Sequence, residues 1–122
     1  MAPTSQQLLG RIGERLALEH YQRRGFVLLG RNKHTRSGEL DLVVCDAATI
    51  VFVEVKTRLA GGLDPLFSIT PRKVRRMRIV AAEWLAAHPN HPHRPELRLD
   101  AVGVVIDAQG RLVALDQLEA IG

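Results

Sequence analysis

The chain has 122 residues, of which 46% are apolar and 25% are charged, and its net charge is +4. This length and composition predict one compact domain over residues 1–122. A protein with a membrane-spanning helix is excluded, because no apolar run reaches roughly 18 residues. A fold held by internal disulfides is excluded as well, because Cys45 is the single cysteine. The single cysteine and the polar start, which lacks a signal-peptide pattern, predict a cytoplasmic protein.

The basic residues are fourteen arginines and three lysines. The planar guanidinium group of arginine matches the oxygens of a phosphate, so this composition suits a protein that handles nucleic acid. An arginine-rich proteome would produce the same balance, and the charge alone favours neither explanation.

The first half of the chain predicts one helix and three strands. Apolar residues at helical spacing predict a helix over residues 5–24, capped by Ser5 and ended by Gly25. Three short runs rich in valine, leucine and isoleucine then predict strands at residues 26–30, 39–45 and 50–57.

The second half predicts a loop, a helix and two strands. The loop covers residues 59–69, and Thr70 followed by Pro71 is typical of a helix start. This helix extends to about His88, before a proline-rich segment that cannot continue it. Two further strands are predicted at residues 97–106 and 111–115. The order α-β-β-β-α-β-β indicates an α/β or α+β arrangement in which helices cover a central sheet.

The second and third predicted strands carry acidic and basic residues within valine-rich runs. Because side chains alternate between the faces of a strand, Glu54 and Lys56 share one face of the third strand. A tight turn at residues 47–48 would place Asp41 of the second strand directly opposite Glu54. The opposite face of both strands is then predicted to pack a core of Leu40, Leu42, Val44, Val51, Val53 and Val55.

Two opposed carboxylates repel each other, so this arrangement needs an offsetting charge. A divalent cation such as Mg²⁺ would supply it, because hard cations take carboxylate oxygens together with substrate phosphate. Lys56 could then orient or deprotonate an attacking water, or neutralise charge on the phosphate. The alternative for each of these residues is an ordinary exposed position, with Glu54 and Lys56 forming a surface pair.

Motifs along almost the whole chain resemble those of the YraN-like family of bacterial proteins. The matching residues are Gly10-x-x-Gly-Glu14-x-x-Ala17-x-x-x-Tyr21, Arg31-Asn32, Gly38-Glu-Leu-Asp-Leu42, Val51-Phe-Val-Glu-Val-Lys-Thr-Arg58, Lys73 and Arg98-Leu-Asp100. Within them, Asp41…Glu54-Val-Lys56 resembles the PD-(D/E)xK nuclease signature, with Leu40 in place of the proline. That family is similar to archaeal Holliday-junction resolvases, so the resemblance implies a restriction-endonuclease-like fold with a central mixed sheet flanked by helices.

The resemblance also implies a function and a site. Asp41, Glu54 and Glu14 would bind Mg²⁺ or Mn²⁺, and Lys56 would be the catalytic lysine. The expected activity is that of a metal-dependent endonuclease that cuts DNA, with branched or damaged duplexes as candidate substrates. Two other functions stay open, a non-cleaving nucleic-acid-binding module and a metal-stabilised interaction domain. The protein could form a homodimer, because symmetric cutting of two strands needs two sites.

Glu14 and three basic residues are further candidates for the site. Glu14 lies among small helix residues, which would let the helix approach the sheet with the carboxylate pointing inward. The alternative is a surface glutamate on an amphipathic helix. Arg58, Lys73 and Arg76 are predicted to contact phosphate, the last two at a helix start, whose free N–H groups attract anions. A solvated basic face would explain them as well.

Three remaining features have structural or open interpretations. Glu39 could be a further metal ligand or an ion-pair partner of Lys56, and the pair is favoured. Asp100, within an apolar strand, is interpreted as structural and paired with Arg98 or another arginine. The proline-rich segment contains three histidines whose spacing matches no common zinc pattern, namely His88, His91 and His93.

Overall fold

The computed structural model describes residues 2–122, so Met1 lies outside it. Its elements follow the chain as α1 (Ser5–Arg23), β1 (Val27–Thr35), β2 (Gly38–Cys45), β3 (Thr49–Leu59), a 3₁₀ helix (Pro65–Ser68), α2 (Pro71–Ala87), β4 (Glu96–Ile106) and β5 (Leu112–Leu118). The predicted order α-β-β-β-α-β-β is therefore confirmed, and it is consistent with a restriction-endonuclease-like fold. Neither helix of residues 2–122 has the length and apolar character needed to cross a membrane.

The five strands form one sheet in the order β1-β2-β3-β4-β5. Strands β3 and β4 pair in parallel, whereas the other neighbours pair antiparallel, so the sheet is mixed as predicted. Parallel neighbours require a long connection that returns the chain to the same end of the sheet. Helix α2 lies in that connection and packs onto one face of the sheet, mainly over β2.

The two helices cover opposite faces of the sheet. On the α1 face, Ala17 and Tyr21 pack in one apolar cluster with Leu42 and Val53. On the other face, α2 contributes a second cluster, built from Met77, Val80, Ala81 and Trp84 with Val43, Phe52 and other strand residues. Strand β3 is consequently buried on both sides, which explains why its sequence is a nearly continuous apolar run.

The β2–β3 hairpin has the predicted register. The paired residues are Leu42 with Val53, Val43 with Phe52, Val44 with Val51, and Cys45 with Ile50. Asp46 makes the Ala47–Ala48 turn favourable, because its Oδ1 accepts hydrogen bonds from the Ala48 and Thr49 amides at 2.9 and 2.8 Å.

The hairpin departs from the prediction beyond Leu42. Main-chain pairing between β2 and β3 ends there, so Asp41 and Glu54 are not paired residues of the ladder. Leu40 was predicted to share a face with Leu42, but it packs in the α2-side cluster instead. The physical reason is a break in the side-chain alternation of β2 where the two strands separate.

Several element ends also differ from the sequence prediction. Thr4, rather than Ser5, caps α1, because its Oγ1 accepts the Gln7 amide at 3.1 Å while Gln7 Oε1 accepts the Thr4 amide at 2.8 Å. Strand β1 continues to Thr35 through polar residues, which an exposed edge strand tolerates. Strand β5 likewise continues to Leu118. For α2, the predicted cap at Thr70 and start at Pro71 are confirmed.

Helix α1 approaches β3 most closely at a glycine. A Cβ atom placed on Gly13 would lie 1.7 Å from Oγ1 of Thr57, which is far inside van der Waals contact. Any side chain at position 13 would therefore push the helix away from the sheet. Glu14 is the next residue of α1, so this contact also sets how closely its carboxylate approaches the strands.

Candidate functional site

A cleft of about 270 Å³ lies between the end of the β2–β3 ladder and helix α2. Its walls contain three acidic residues from the strands, two basic residues from α2 and apolar residues beneath them. The lining residues are Gly38, Glu39, Asp41, Glu54, Lys73, Arg76, Met77 and Val80. The cleft thus gathers residues that lie far apart in the chain.

Asp41 is held at the point where β2 leaves β3. Its Oδ2 accepts a hydrogen bond of 2.8 Å from the amide of Val55, so the side chain takes the place of a main-chain ladder partner. Burial, and next the negative charge of Glu54, raise the pKa of Asp41 from its ordinary 3.8 to about 7. The bond from Val55 opposes this rise without cancelling it.

Glu54 is buried in the same cleft and contacts two lysines. Its Oε1 lies 3.1 Å from Nζ of Lys73 and 3.5 Å from Nζ of Lys56. Lys56 follows on the same face of β3, as the alternation predicted, whereas Lys73 reaches the carboxylate from the first turn of α2. The side chain of Glu54 is only 9% exposed, so both ammonium groups act on it with little solvent screening.

Glu14 is half-buried on α1 but does not line this cleft. It lines a neighbouring cleft together with Arg11, Ile12, Arg15, Arg31 and Asn32. Burial raises the pKa of Glu14, while the Asn32 side chain opposes the shift, and the charge of Glu14 in turn helps to raise the pKa of Asp41. Within residues 2–122, no three acidic, histidine or cysteine side chains come together in a group that could hold a metal ion.

The predicted phosphate-binding residues occupy different places. Lys73 and Arg76 both line the acidic cleft, on the α2 side. Arg58 lies at the exposed end of β3, where its guanidinium donates a 3.1 Å hydrogen bond to the Thr57 carbonyl. The structure therefore brings Lys73 and Arg76 to Asp41 and Glu54, and it leaves Arg58 outside the cleft lining.

The donors in the cleft suit a hard divalent cation. Asp41 and Glu54 provide carboxylate oxygens, and the pKa of Asp41 is raised first by burial and then by the charge of Glu54. Mg²⁺ commonly binds through one or two carboxylates and completes its shell with water and phosphate oxygens. The two carboxylates lie beside a basic wall formed by Lys73 and Arg76, which fits that requirement, so Asp41 and Glu54 could hold Mg²⁺ or Mn²⁺.

Two ion pairs differ from what the sequence predicted. Glu39 was expected to pair with Lys56, but its Oε2 lies 3.8 Å from Nδ1 of His34 instead, while Lys56 contacts Glu54. The contact of Lys73 with Glu54 was not predicted. Its only sequence signal is a lysine in a first helical turn that lacks acidic residues, where an acidic group from elsewhere in the fold would offset the helix dipole.

Asp100 has the structural role that its apolar strand indicated. It is fully buried, and it accepts hydrogen bonds from the Tyr21 hydroxyl at 2.6 Å and from Arg98 at 2.9 and 3.0 Å. Gln117 and the amide of Ala120 also donate to it, which ties the C-terminal segment to the sheet. All the acceptor positions of this buried carboxylate are thus well used, away from the acidic cleft.

Comparison with known proteins gives a consistent result. The model of "Uncharacterised protein family UPF0102" matches residues 13–104, a range that includes Asp41, Glu54 and Lys56. The chain is 44% identical over 119 residues to a UPF0102 protein of Corynebacterium efficiens, covering 97% of this chain and 94% of that protein.

Mycobacterial relatives give similar figures. A UPF0102 protein of Mycobacterium avium is 44% identical over 117 residues, covering 93% of this chain and 89% of the relative. A UPF0102 protein of Mycobacterium tuberculosis is 43% identical over 119 residues, covering 93% of this chain and 91% of that protein. These matches agree with the YraN-like resemblance of the motifs.

Proposed function

We propose that this chain, which belongs to uncharacterised protein family UPF0102, is a metal-dependent endonuclease that hydrolyses phosphodiester bonds in DNA. The observation that carries the proposal is the meeting of Asp41 and Glu54 in one cleft that Lys73 and Arg76 line from α2. The carboxylates support cation binding, and the basic wall supports phosphate binding. A purely structural role would explain the lysines beside Glu54, but it gives no reason for a second buried carboxylate, Asp41, in the same cleft.

Three residues that line the cleft, and Lys56 beside it, have chemical tasks in this proposal. Asp41 and Glu54 would hold Mg²⁺ or Mn²⁺, which supplies a Lewis acid and lowers the pKa of a bound water. The hydrogen bond from Val55 fixes the orientation of Asp41, and burial fixes that of Glu54. Lys56 would orient the attacking water or neutralise charge that develops on the phosphate. Arg76 would bind a phosphate oxygen of the DNA strand that is cut.

Glu14 would act from the α1 side. The resemblance implies a metal ligand at this position, and the structure has Glu14 in the neighbouring cleft, close enough for its charge to raise the pKa of Asp41. We propose that Glu14 increases the cation affinity of the site through this negative charge.

A non-cleaving nucleic-acid-binding module is the second candidate function. One observation favours it: Glu54 already has two ammonium neighbours, so part of the acidic charge is satisfied without any cation. A module of this kind would bind DNA with a steep dependence on salt and no dependence on divalent metal. A nuclease of the proposed kind would instead bind or cut in a metal-dependent manner.

The experiment is a cleavage assay on linear, nicked, flapped and four-way DNA, with Mg²⁺, Mn²⁺ or EDTA. We expect metal-dependent cutting by the wild type and its loss in Asp41→Asn and Lys56→Ala, with Asp116→Asn as a control at an exposed position outside the cleft. Metal-dependent cutting that survives in both Asp41→Asn and Lys56→Ala would refute the assignment of the catalytic site. Gel filtration of the same samples tests the homodimer, which stays a prediction from the sequence, as does the cytoplasmic location.

A further inference from the structure

We propose that Lys73 exchanges partners as the cleft fills. In the protein without metal its ammonium group pairs with Glu54, and when a divalent cation takes that carboxylate, Lys73 transfers to a phosphate of the nucleic acid. This inference rests on the proposed function and deepens it, because it makes the binding of metal and of nucleic acid mutually dependent.

The first step is the crowding of one carboxylate oxygen. Both lysines contact Oε1 of Glu54, and Lys73 is the nearer, at 3.1 Å against 3.5 Å for Lys56. An ammonium group at this distance neutralises the charge that a cation would use, and it repels a cation that approaches the same oxygen. Metal binding at Glu54 therefore competes with the Lys73 contact.

The second step explains why Lys73 is the lysine that moves. Lys56 is two residues from Glu54 on the same face of β3, so the strand holds the two side chains side by side. Both lysine side chains are partly exposed, 34% for Lys73 and 28% for Lys56. Lys73 differs in approaching from a separate element, so its four-carbon stem can turn the ammonium group to solvent independently of β3. Breaking its contact with Glu54 requires no movement of the sheet.

The third step identifies the new partner as phosphate. Lys73 lies in the first turn of α2, which contains no acidic residue, and Thr70 caps that turn. A positive charge at a helix start is unfavourable for the helix dipole, so an anion from outside the helix would stabilise a released Lys73. Arg76 lines the same cleft one turn later, and the two groups together could bind phosphate oxygens on either side of the scissile bond.

The exchange has a thermodynamic consequence. A cation that releases Lys73 raises the affinity for nucleic acid, and by linkage bound nucleic acid raises the affinity for the cation by the same factor. We expect this factor to be at least about fivefold, in the range of ordinary coupling between two sites. Without Lys73 most of the coupling is lost, although phosphate oxygens that bind the cation directly preserve a part of it.

The first test measures metal binding in the absence of DNA. Mn²⁺ is titrated calorimetrically into the full-length chain and into Lys73→Met, which keeps the apolar stem and removes the charge. The matched control is Arg76→Met, because Arg76 lines the same cleft but forms no ion pair with the acidic residues of the described chain. Lys73→Met should bind Mn²⁺ at least about fivefold more tightly than the wild type, and clearly more tightly than Arg76→Met. Equal Mn²⁺ affinities of Lys73→Met and Arg76→Met would overturn the proposed competition between Lys73 and the cation for Glu54.

The second test measures the coupling itself. Binding of a short duplex with phosphorothioate linkages, which resist cleavage, is measured with Mg²⁺ and with EDTA. In the wild type Mg²⁺ should tighten binding at least about fivefold, in Lys73→Met the gain should largely disappear, and Arg76→Met should bind more weakly overall but keep the gain. An undiminished gain in Lys73→Met would overturn the exchange alone. No binding by the wild type would overturn the proposed function, while the Mn²⁺ titration would still decide whether Lys73 competes for Glu54.

Discussion

Asp41 Oδ2 accepts the amide hydrogen of Val55 at 2.8 Å, so a carboxylate completes the β2–β3 ladder where its main-chain pairing ends. The same side chain is buried beside Glu54, which is why its pKa is raised to about 7. One group thus serves both the hairpin and the cleft. Its charge is a cost to the metal-free fold, and that cost can be measured.

We predict that Asp41→Asn stabilises the metal-free protein at pH 8 but not at pH 4. The folded-state pKa of Asp41 lies above its ordinary value of 3.8, so between about pH 4 and pH 7 the folded protein binds more protons than the unfolded chain. The contribution of Asp41 to stability is therefore present below pH 4 and is lost as the pH rises to 7. Asparagine keeps an acceptor for Val55 and carries no charge at any of these pH values.

Urea unfolding in EDTA at several pH values provides the measurement, with the difference in unfolding free energy between variant and wild type as the readout. Asp116→Asn, at an exposed position, is the control. A difference between Asp41→Asn and the wild type that stays constant from pH 4 to pH 8 would contradict the raised pKa.

Divalent metal should stabilise the wild type and fail to stabilise Asp41→Asn. A ligand that binds only the folded state adds about 2.7 kcal/mol when its concentration is one hundred times its Kd. The midpoint of thermal unfolding at pH 8 should therefore rise with Mn²⁺ concentration in the wild type, because the cation offsets the repulsion between Asp41 and Glu54. Equal midpoint shifts in both proteins would place metal binding elsewhere.

Replacing Gly13 by alanine should destabilise the fold by about 1–3 kcal/mol or more, because the new Cβ would overlap Thr57 and force α1 away from the sheet. Gly10→Ala is a matched control in the same helix, since a Cβ at that position meets no atom within 4 Å. There the gain in helix propensity should stabilise by about 0.5–1 kcal/mol. Chemical denaturation of both variants gives the comparison.

A double-mutant cycle isolates the contact. Thr57→Ala removes the hydroxyl and methyl groups that the new Cβ would meet but keeps the Cβ atom 2.8 Å away, so Gly13→Ala should cost less, though not nothing, in that background. Additive effects of the two substitutions would mean that position 13 acts through the helix alone rather than through its approach to β3.

Tyr21→Phe should reduce the free energy of unfolding by about 1–3 kcal/mol, because it removes a buried hydroxyl that donates to Asp100 at 2.6 Å. Arg98 and Gln117 still donate to Asp100, which keeps the cost from being larger. Since this network lies away from the acidic cleft, the Mn²⁺ affinity should stay unchanged. A variant as stable as the wild type would assign the network no energetic role.

Local patterns were sufficient to predict much of this fold. The alternation in β2 and β3 and the two-residue turn predicted the hairpin register, and the Thr70–Pro71 pair predicted the start of α2. The polar half of β1 was missed because an exposed edge strand does not need apolar residues to form its hydrogen bonds.

The candidate site was predictable only in part, for a similar physical reason. Asp41 and Glu54 come to the cleft from one hairpin, so sequence spacing predicted their proximity, although their direct pairing in the ladder was wrong. The contact between Lys73 and Glu54, and the position of Glu14 in a separate cleft, depend on how each helix packs against the sheet. No local pattern specifies such a packing.

Because β3 pairs with β4 in parallel, the acidic and basic sides of the cleft are expected to form at different stages of folding. Its carboxylates come from a hairpin that closes over a two-residue turn, whereas Lys73 and Arg76 arrive on a crossover helix that docks only after a long loop has closed. Local contacts generally form before distant ones, so we expect the acidic half of the cleft to assemble first. Pulsed hydrogen exchange would then detect protection in β3 before protection in α2. Lys73 and Arg76 would then reach the cleft only in the last stage of folding, so under the proposed function a phosphate could bind only after α2 has docked.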